Sequence, residues 1–212
     1  MNSAAKGFAV TLFTALAAGA QASLIGIDLN QPGLNAIQVP SSHDYANNPA
    51  HNPGLSVGQS GTNNATVVAL TENPFRLNFT YLFKEAGFTN SFSFNGQTLF
   101  DTRSPSGGIH AITFKEGMGP LNFFFTAKGY TSSRTVTNGD NNGGAAKFAT
   151  IWEPGSNQLY LGLDDHGGGP DGDYDDMVIK ITAVPVTEPG TLALLGLGLA
   201  AVALHLGTRR RA

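Results

Sequence analysis

The chain has 212 residues, of which 41% are hydrophobic, only 13% are charged and none is cysteine. This composition excludes disulfides and Cys-ligated zinc or iron–sulfur sites, and it does not fit a coiled coil or a highly charged disordered segment. A formal net charge of −3 with scattered Lys and Arg argues against a nucleic-acid binder, because such proteins need a basic face for phosphates.

The first 22 residues have the three parts of a secretory signal. Lys6 and the amino terminus give a positive start, and the apolar run Phe8–Ala18 follows. Ala20 and Ala22 then place small residues at the −3 and −1 positions of a peptidase site. The run has no polar face, which disfavours a core helix of the folded domain. We therefore expect signal peptidase to remove residues 1–22.

Residues 23–185 are long enough to form one domain with its own core. Between residues 23 and 187 there are 14 acidic and 8 basic residues, which gives a formal charge of −6. The segment Asn30–Asn64 is rich in Asn, Pro, Ser and Gly and poor in periodic apolar positions. We expect this segment to be a long exposed loop with at most short strands.

Beyond this loop the pattern changes to short β-strands. Apolar and polar side chains alternate along Phe75–Phe83, as is typical of a half-buried strand. Asn95-Gly96 is a strong signal for a two-residue hairpin. Short strands joined by Gly, Asn and Ser turns predict an all-β fold, an antiparallel β-sandwich of jelly-roll or immunoglobulin-like type. The predicted strands are Thr66–Leu70, Phe75–Phe83, Ser91–Phe94, Gln97–Phe100, Ile109–Phe114, Leu121–Ala127, Lys147–Trp152, Gln158–Leu163 and Met177–Val184.

An acidic cluster near the end of the domain is the clearest candidate for a binding site. Six carboxylates fall within the 13 residues Asp164–Asp176, which contain no Lys or Arg. Like charges gathered in one loop need a cation, backbone donors or distance. Ca²⁺ suits such a loop, because it takes roughly six to eight oxygen ligands in flexible geometry. The candidate calcium ligands are Asp164, Asp165, Asp171, Asp173, Asp175 and Asp176.

Two other interpretations of these aspartates stay open. Their side chains can accept backbone N–H bonds in turns, or they can form a solvated acidic surface. An EF-hand is excluded, although the spacing of Asp171, Asp173 and Asp175 matches its first ligands. Asp176 stands where that loop needs Gly, and Thr182 stands where it needs Glu.

The pattern at the C-terminal end predicts a membrane segment. The 17 residues 191–207 carry no formal charge and would form a helix about 25 Å long, near the lower limit for a membrane span. A basic cluster follows, which would hold the C-terminus in the cytoplasm while the domain stays outside. We expect a transmembrane helix at 191–207 rather than a buried core helix. The basic membrane stop consists of Arg209, Arg210 and Arg211.

Residues 186–212 resemble the PEP-CTERM sorting signal of Gram-negative bacteria. Glu188 and Pro189 match the Glu-Pro of its motif, whereas Thr187 stands in place of its first proline. The apolar helix and the terminal arginines follow in the order of that signal. The resemblance implies export through the inner membrane and transient or permanent anchoring there. It also implies transfer by an exosortase-type sorting enzyme to the cell surface or extracellular matrix.

The acidic segment resembles the closing part of an uncharacterised extracellular β-domain of bacterial surface proteins. In that family an acidic pair, a glycine-rich loop and an Asp-aromatic-Asn/Asp-Asp sequence lead into the final strand. Asp164-Asp165, the loop 166–170 and Asp173–Asp176 match these parts. The resemblance implies an extracellular β fold and calcium binding, but no reaction.

Together these features predict an exported, non-catalytic surface or matrix protein that is stabilised by calcium and contacts exopolysaccharide. The chain has no Gly-x-Ser-x-Gly elbow, no His-Glu-x-x-His helix and no Cys nucleophile. The alternative is a carbohydrate-binding or carbohydrate-cleaving module that uses the Asp164–Asp176 loop.

Overall fold

The computed structural model describes residues 22–28, 35–38, 60–63, 65–129, 132–140, 146–152, 155–166, 174–186 and 196–199. All strand pairings among these residues are antiparallel. The strands are β1 Ile25–Asp28, β2 Asn35–Gln38, β3 Ser60–Asn63, β4 Thr66–Ala69, β5 Phe75–Phe83, β6 Thr89–Phe94, β7 Gln97–Asp101, β8 Ile109–Phe114, β9 Gly119–Pro120, β10 Phe123–Lys128, β11 Ser133–Thr137, β12 Lys147–Trp152, β13 Gln158–Asp164 and β14 Met177–Pro185.

These strands form three open sheets. The largest has seven strands in the order β2-β3-β12-β13-β14-β5-β8, the second has the order β11-β10-β6-β7, and the third has the order β1-β4-β9. The seven-stranded and four-stranded sheets pack face to face through aromatic rings. The Phe79 ring of β5 lies 5.6 Å from the Phe92 ring and 4.8 Å from the Phe94 ring of β6. The predicted all-β class is confirmed, and the layers are those of a sandwich.

The core follows directly from the period-two pattern of the strands. Alternate residues of β5 are buried, beginning with Phe75 and ending with Phe83. Phe123 and Phe125 of β10 point into the same core, where both rings contact Phe148 of β12. Aromatic side chains on both inner faces therefore provide the main part of the apolar surface that the domain buries on folding.

The nine predicted strands all occur, with bounds that differ by at most two residues. The pattern missed β1, β9 and β11, which are short or mostly polar. In β11, for example, Val136 is the single buried residue, so no apolar alternation marks the strand. The four-residue strands β2 and β3 agree with the expectation of at most short strands in Asn30–Asn64.

The C-terminal apolar segment is described only at residues 196–199, which are helical. Among the residues that the structure describes, no helix is both long and apolar enough to cross a bilayer. The rest of the predicted transmembrane helix 191–207 lies outside the described residues. The same holds for the basic cluster at 209–211 and for all but the last residue of the predicted signal peptide.

β14 separates two regions of interest along the length of the domain. It begins directly after the acidic segment and ends at Pro185, where the sorting segment begins. A strand of nine residues has eight steps of about 3.4 Å each, which places these regions about 27 Å apart. The acidic pole is defined by Asp164, Asp165, Asp175 and Asp176, and the exit pole by Leu24, Leu70, Pro185 and Val186.

Candidate functional site

Four of the six candidate calcium ligands lie in the described residues, whereas Asp171 and Asp173 lie outside them. Two of the four, Asp164 and Asp165, stand at the end of β13, and the other two immediately precede β14. β13 and β14 pair up to Leu163 and Met177, so the sheet register brings the two acidic pairs together. Three of these side chains are almost fully buried: Asp164, Asp165 and Asp175 are at most 2% exposed.

Backbone donors hold two of the carboxylates. The Asp164 carboxylate accepts the His166 N–H at 3.0 Å, and the Asp176 carboxylate accepts the Asp165 N–H at 2.8 Å. The Asp176 N–H in turn donates to the Leu163 carbonyl at 3.1 Å. These local bonds are those of an acidic turn, which was one of the open interpretations of the segment.

Asp165 connects the acidic segment to the opposite sheet. One of its carboxylate oxygens lies 2.9 Å from His166 Nδ1, and the other accepts the Asn90 Nδ2–H at 2.9 Å. Asn90 belongs to β6, is fully buried and also donates to the Asp176 carbonyl at 3.3 Å. A buried amide that donates to a buried carboxylate is a strong, directional link between the two sheets.

Asn90 is a site residue that the sequence analysis missed. A signal for it does exist, because Asn90 takes the inward position of a strand whose next inward positions are Phe92 and Phe94. A polar residue in an apolar series indicates a buried polar partner. That the partner is Asp165 depends on the packing of two sheets, which the strand pattern does not contain.

The acidic segment also packs tightly against β13. Tyr174 has a φ of 62°, in the left-handed region that non-glycine residues rarely adopt. Its carbonyl oxygen lies so close to Gly162 that a Cβ at that position would overlap it. Gly162 therefore allows the segment to return along the strand at backbone distance.

The donor types at the acidic pole fit calcium, but the four described carboxylates do not by themselves form its site. Within the described ranges, no three His, Cys, Asp or Glu side chains are arranged to hold a metal ion. Asn90 adds a carboxamide oxygen, a ligand type that Ca²⁺ accepts, and this atom is buried with no hydrogen-bond partner among the described residues. A calcium site here would draw on Asp171 and Asp173 as well.

A cleft of about 340 Å³ opens beside the acidic pole. The Phe88 ring forms one wall, and the His166 ring packs against it with the ring centroids 4.7 Å apart. Arg103 and Lys128 give the cleft a basic edge. Arg103 lies 3.1 Å from the Asp101 carboxylate, and its backbone N–H is the main reason that the pKa of Asp101 lies below the usual value.

The exit pole holds both ends of the domain together. The Asn157 side-chain oxygen accepts the Leu24 N–H at 2.6 Å, while its backbone carbonyl accepts the Ala183 N–H at 2.7 Å. A cleft of about 560 Å³ lies at this pole. It is lined by the predicted cleavage residue Ala22 and by Pro185, the last residue of β14. The predicted cleavage residue Ala20 and the motif residues Glu188 and Pro189 lie outside the described residues.

Comparisons with known proteins identify the segment that leaves this pole. The family described as PEP-CTERM protein-sorting motif matches residues 185–211. No curated protein sequence matches the chain significantly.

Two solved lectin structures are similar to the domain only distantly. A Chromobacterium violaceum lectin in complex with alpha-methyl-fucoside is 16% identical, with 57% of this chain and 96% of the lectin covered and a TM-score of 0.32. A Ralstonia solanacearum high-affinity mannose-binding lectin is 12% identical, with 55% and 92% covered and a TM-score of 0.30. Similarity at this level carries no argument about the ligand or the fold.

Proposed function

We propose that this chain, which carries a PEP-CTERM sorting motif, is an exported, non-catalytic protein of the Gram-negative cell surface or extracellular matrix. The observation that carries the proposal is the position of the motif, which begins where the last strand of the domain ends. Signal peptidase would remove residues 1–22, and an exosortase-type enzyme would act at the segment containing Glu188 and Pro189. Until then, residues 191–207 would anchor the chain in the inner membrane.

The exit pole supports this processing order. β14 ends at Pro185, so a cut beyond Val186 leaves every strand of the sandwich intact. Leu24, which directly precedes β1, lies at the same pole and is bonded to Asn157. Removing both terminal signals would therefore leave the core and the sheet register unchanged.

We propose calcium as a stabiliser at the acidic pole. Three carboxylates are almost fully buried there, and gathering like charges away from water is unfavourable without compensation. Backbone donors supply part of that compensation at Asp164 and Asp176. Asp171 and Asp173 belong to the same segment and would add oxygen ligands for a hard cation. The mature protein would then act as a structural or adhesive component that contacts exopolysaccharide.

The second candidate is a carbohydrate-binding or carbohydrate-cleaving module that uses the Asp164–Asp176 loop. The cleft beside the acidic pole favours it, because the Phe88 ring offers an apolar face and Thr89, Thr102 and Lys128 offer polar groups around it. Sugars present both an apolar ring face and hydroxyl groups, so this combination suits them.

A glycan array of the mature domain, with and without a chelator and with Asp173→Ala, separates the two candidates. Binding that the chelator abolishes supports the sugar module, and no binding to any glycan supports a scaffold.

The proposed function is tested by mass spectrometry of both termini of the exported protein. We expect an N-terminus at Ser23 and a C-terminus upstream of residue 191. The variant Pro189→Ala should retain the C-terminal segment and remain in the membrane fraction, while Pro105→Ala, at an exposed proline between β7 and β8, should be processed normally. An exported protein that still ends in Arg211-Ala212 would contradict sorting.

A further inference from the structure

The exit pole is unusually apolar for a surface of this domain. Four large apolar side chains there are partly exposed to solvent: Leu70 and Val184 by 39%, Val186 by 46% and Met118 by 58%. Among the described residues of the domain, the other exposed large apolar side chain is Ile109, at the far end of β8. A clustered apolar surface marks an interaction site more often than scattered residues do.

The apolar surface is continuous across two clefts. Leu70 lines the exit cleft together with Leu24 and Val186. It also lines a second cleft of about 560 Å³, together with Ile27 and Met118. The apolar lining therefore runs from the start of the sorting segment to Met118, across the three-stranded sheet.

We propose that this surface rests on the lipid bilayer while the C-terminal segment anchors the chain. The inference rests on the proposed function, because it needs residues 191–207 in the membrane. Five residue steps separate Val186 from Thr191, and an extended chain covers at most about 17 Å over that distance. The exit pole must then lie within about 17 Å of the point where the apolar segment enters the bilayer.

The charges around the exit pole are compatible with a lipid surface. Glu72 and Glu116 are exposed there, and so are Arg76 and Lys115. Asp28, which lines the second cleft, is a third acid, so the formal charge around the surface is −1. Arg76 and Lys115 offset most of the repulsion by the anionic lipids of a bacterial membrane. In this orientation the acidic pole points away from the bilayer, about 27 Å farther out along β14. Release by the sorting enzyme would uncover the apolar surface.

The absence of cysteine makes a direct test possible. Met118→Cys and Ile109→Cys are matched positions, because the two native side chains are 58% and 64% exposed. Each single-cysteine full chain is labelled with an environment-sensitive fluorophore and reconstituted into phosphatidylethanolamine–phosphatidylglycerol vesicles. Lipids that carry a quencher just below the headgroup then report which label touches the bilayer. We expect quenching at position 118 to be at least threefold stronger than at position 109.

Each outcome bears on a different part of the proposal. Equal quenching at both positions, or none at either in vesicle-bound protein, overturns docking through the exit pole. Failure of the full chain to float with the vesicles overturns the anchor itself, and with it both the proposed function and this inference. A second pair, Leu70→Ser and Ile109→Ser, tests the contact without a label. Only Leu70→Ser should increase the accessibility of the exit pole to protease in vesicle-bound protein.

Discussion

The side-chain oxygen of Asn157 accepts the N–H of Leu24 at 2.6 Å, and this bond joins two residues that lie 133 positions apart in the chain. The backbone carbonyl of the same Asn157 accepts the Ala183 N–H. One residue between β12 and β13 thus holds the first and last strands at a common pole. The two predicted processing signals consequently leave the domain side by side.

Asn157→Ala should loosen β1 without disturbing β14, because only the side-chain bond is lost. The free energy of unfolding should fall by about 1 kcal/mol. Hydrogen exchange of residues 24–28 should accelerate. Asn73→Ala, at an exposed asparagine of the same pole, serves as the control and should leave both quantities unchanged. Unaltered exchange of residues 24–28 in Asn157→Ala would contradict the role of this bond.

Asn138→Ala should lower the free energy of unfolding more than Asn157→Ala does, because the Asn138 amide makes three hydrogen bonds to the main chain of two residues. Its oxygen accepts the Val67 N–H at 2.8 Å, and its Nδ2 donates to the carbonyls of Val67 and Leu121 at 2.8 and 2.7 Å. Losing this amide leaves the partly buried Val67 N–H without its acceptor, whereas the Val67 and Leu121 carbonyls keep the bonds from the Leu121 and Phe123 N–H groups. Urea unfolding should therefore report a loss of about 2–3 kcal/mol. Asn122→Ala removes an exposed amide nearby and should cost less than about 0.5 kcal/mol. Equal losses in the two variants would refute this account.

Gly162→Ala should displace the acidic segment. The new methyl group would overlap the Tyr174 carbonyl oxygen, and the backbone must shift to relieve the contact. We expect a loss of about 1–3 kcal/mol in unfolding free energy. At Gly87 an added Cβ meets no atom within 4 Å, so Gly87→Ala is the matched control and should stay near the wild-type value. Wild-type stability of Gly162→Ala would mean that the segment does not pack closely on β13.

Calcium should raise the melting temperature if it binds the native acidic segment. A hundredfold excess over the dissociation constant stabilises the folded state by about 2.7 kcal/mol. Asp173→Asn should reduce or remove the difference between melts in calcium and in chelator. Asp140→Asn, at an exposed acid outside the segment, should keep it. Identical midpoints for the wild-type protein in calcium and in chelator would eliminate the metal from the proposal.

Alkaline pH should destabilise the protein partly through Tyr81. Burial, with a smaller contribution from the Asp101 carboxylate, raises the pKa of the Tyr81 hydroxyl from 10.0 to about 12. Between these two values the unfolded chain has released the proton while the folded chain retains it, so stability falls as pH rises. Below pH 10 this contribution is constant. Between pH 9 and 12, urea unfolding should show that the free energy of unfolding of Tyr81→Phe falls less steeply with pH than that of the wild type. An equally steep fall in both proteins would contradict the contribution of Tyr81.

How far the sequence predicts the fold depends on whether the signal is local. β5, β8 and β12 were predicted with their observed bounds, because each shows its pattern within six to nine residues. β1 was missed, since four residues directly after a signal-peptide site show no clear period. Its strand structure depends on pairing with β4, which lies about 40 residues downstream. Pairing of that kind leaves little trace in the strand itself.

In the candidate site too, the residues close together in the chain could be predicted, whereas the contacts between distant segments could not. The six aspartates are visible in the sequence because they stand within 13 residues. Asn90, in contrast, is joined to Asp165 across 75 residues and from the opposite sheet. The turn bonds at Asp164 and Asp176 are also tertiary facts, because they depend on the register of β13 against β14.

The sequence by itself determined the all-β class, the acidic segment and the sorting signal, predicted at 186–212 and matched by the family model at 185–211, because strand periodicity, charge density and motif spacing are properties of neighbouring residues. Only the tertiary structure decided that Leu24 and Val186 share one pole and that the acidic segment lies at the other. The order and packing of the sheets set these distances. They bring together groups that the chain separates by more than a hundred residues.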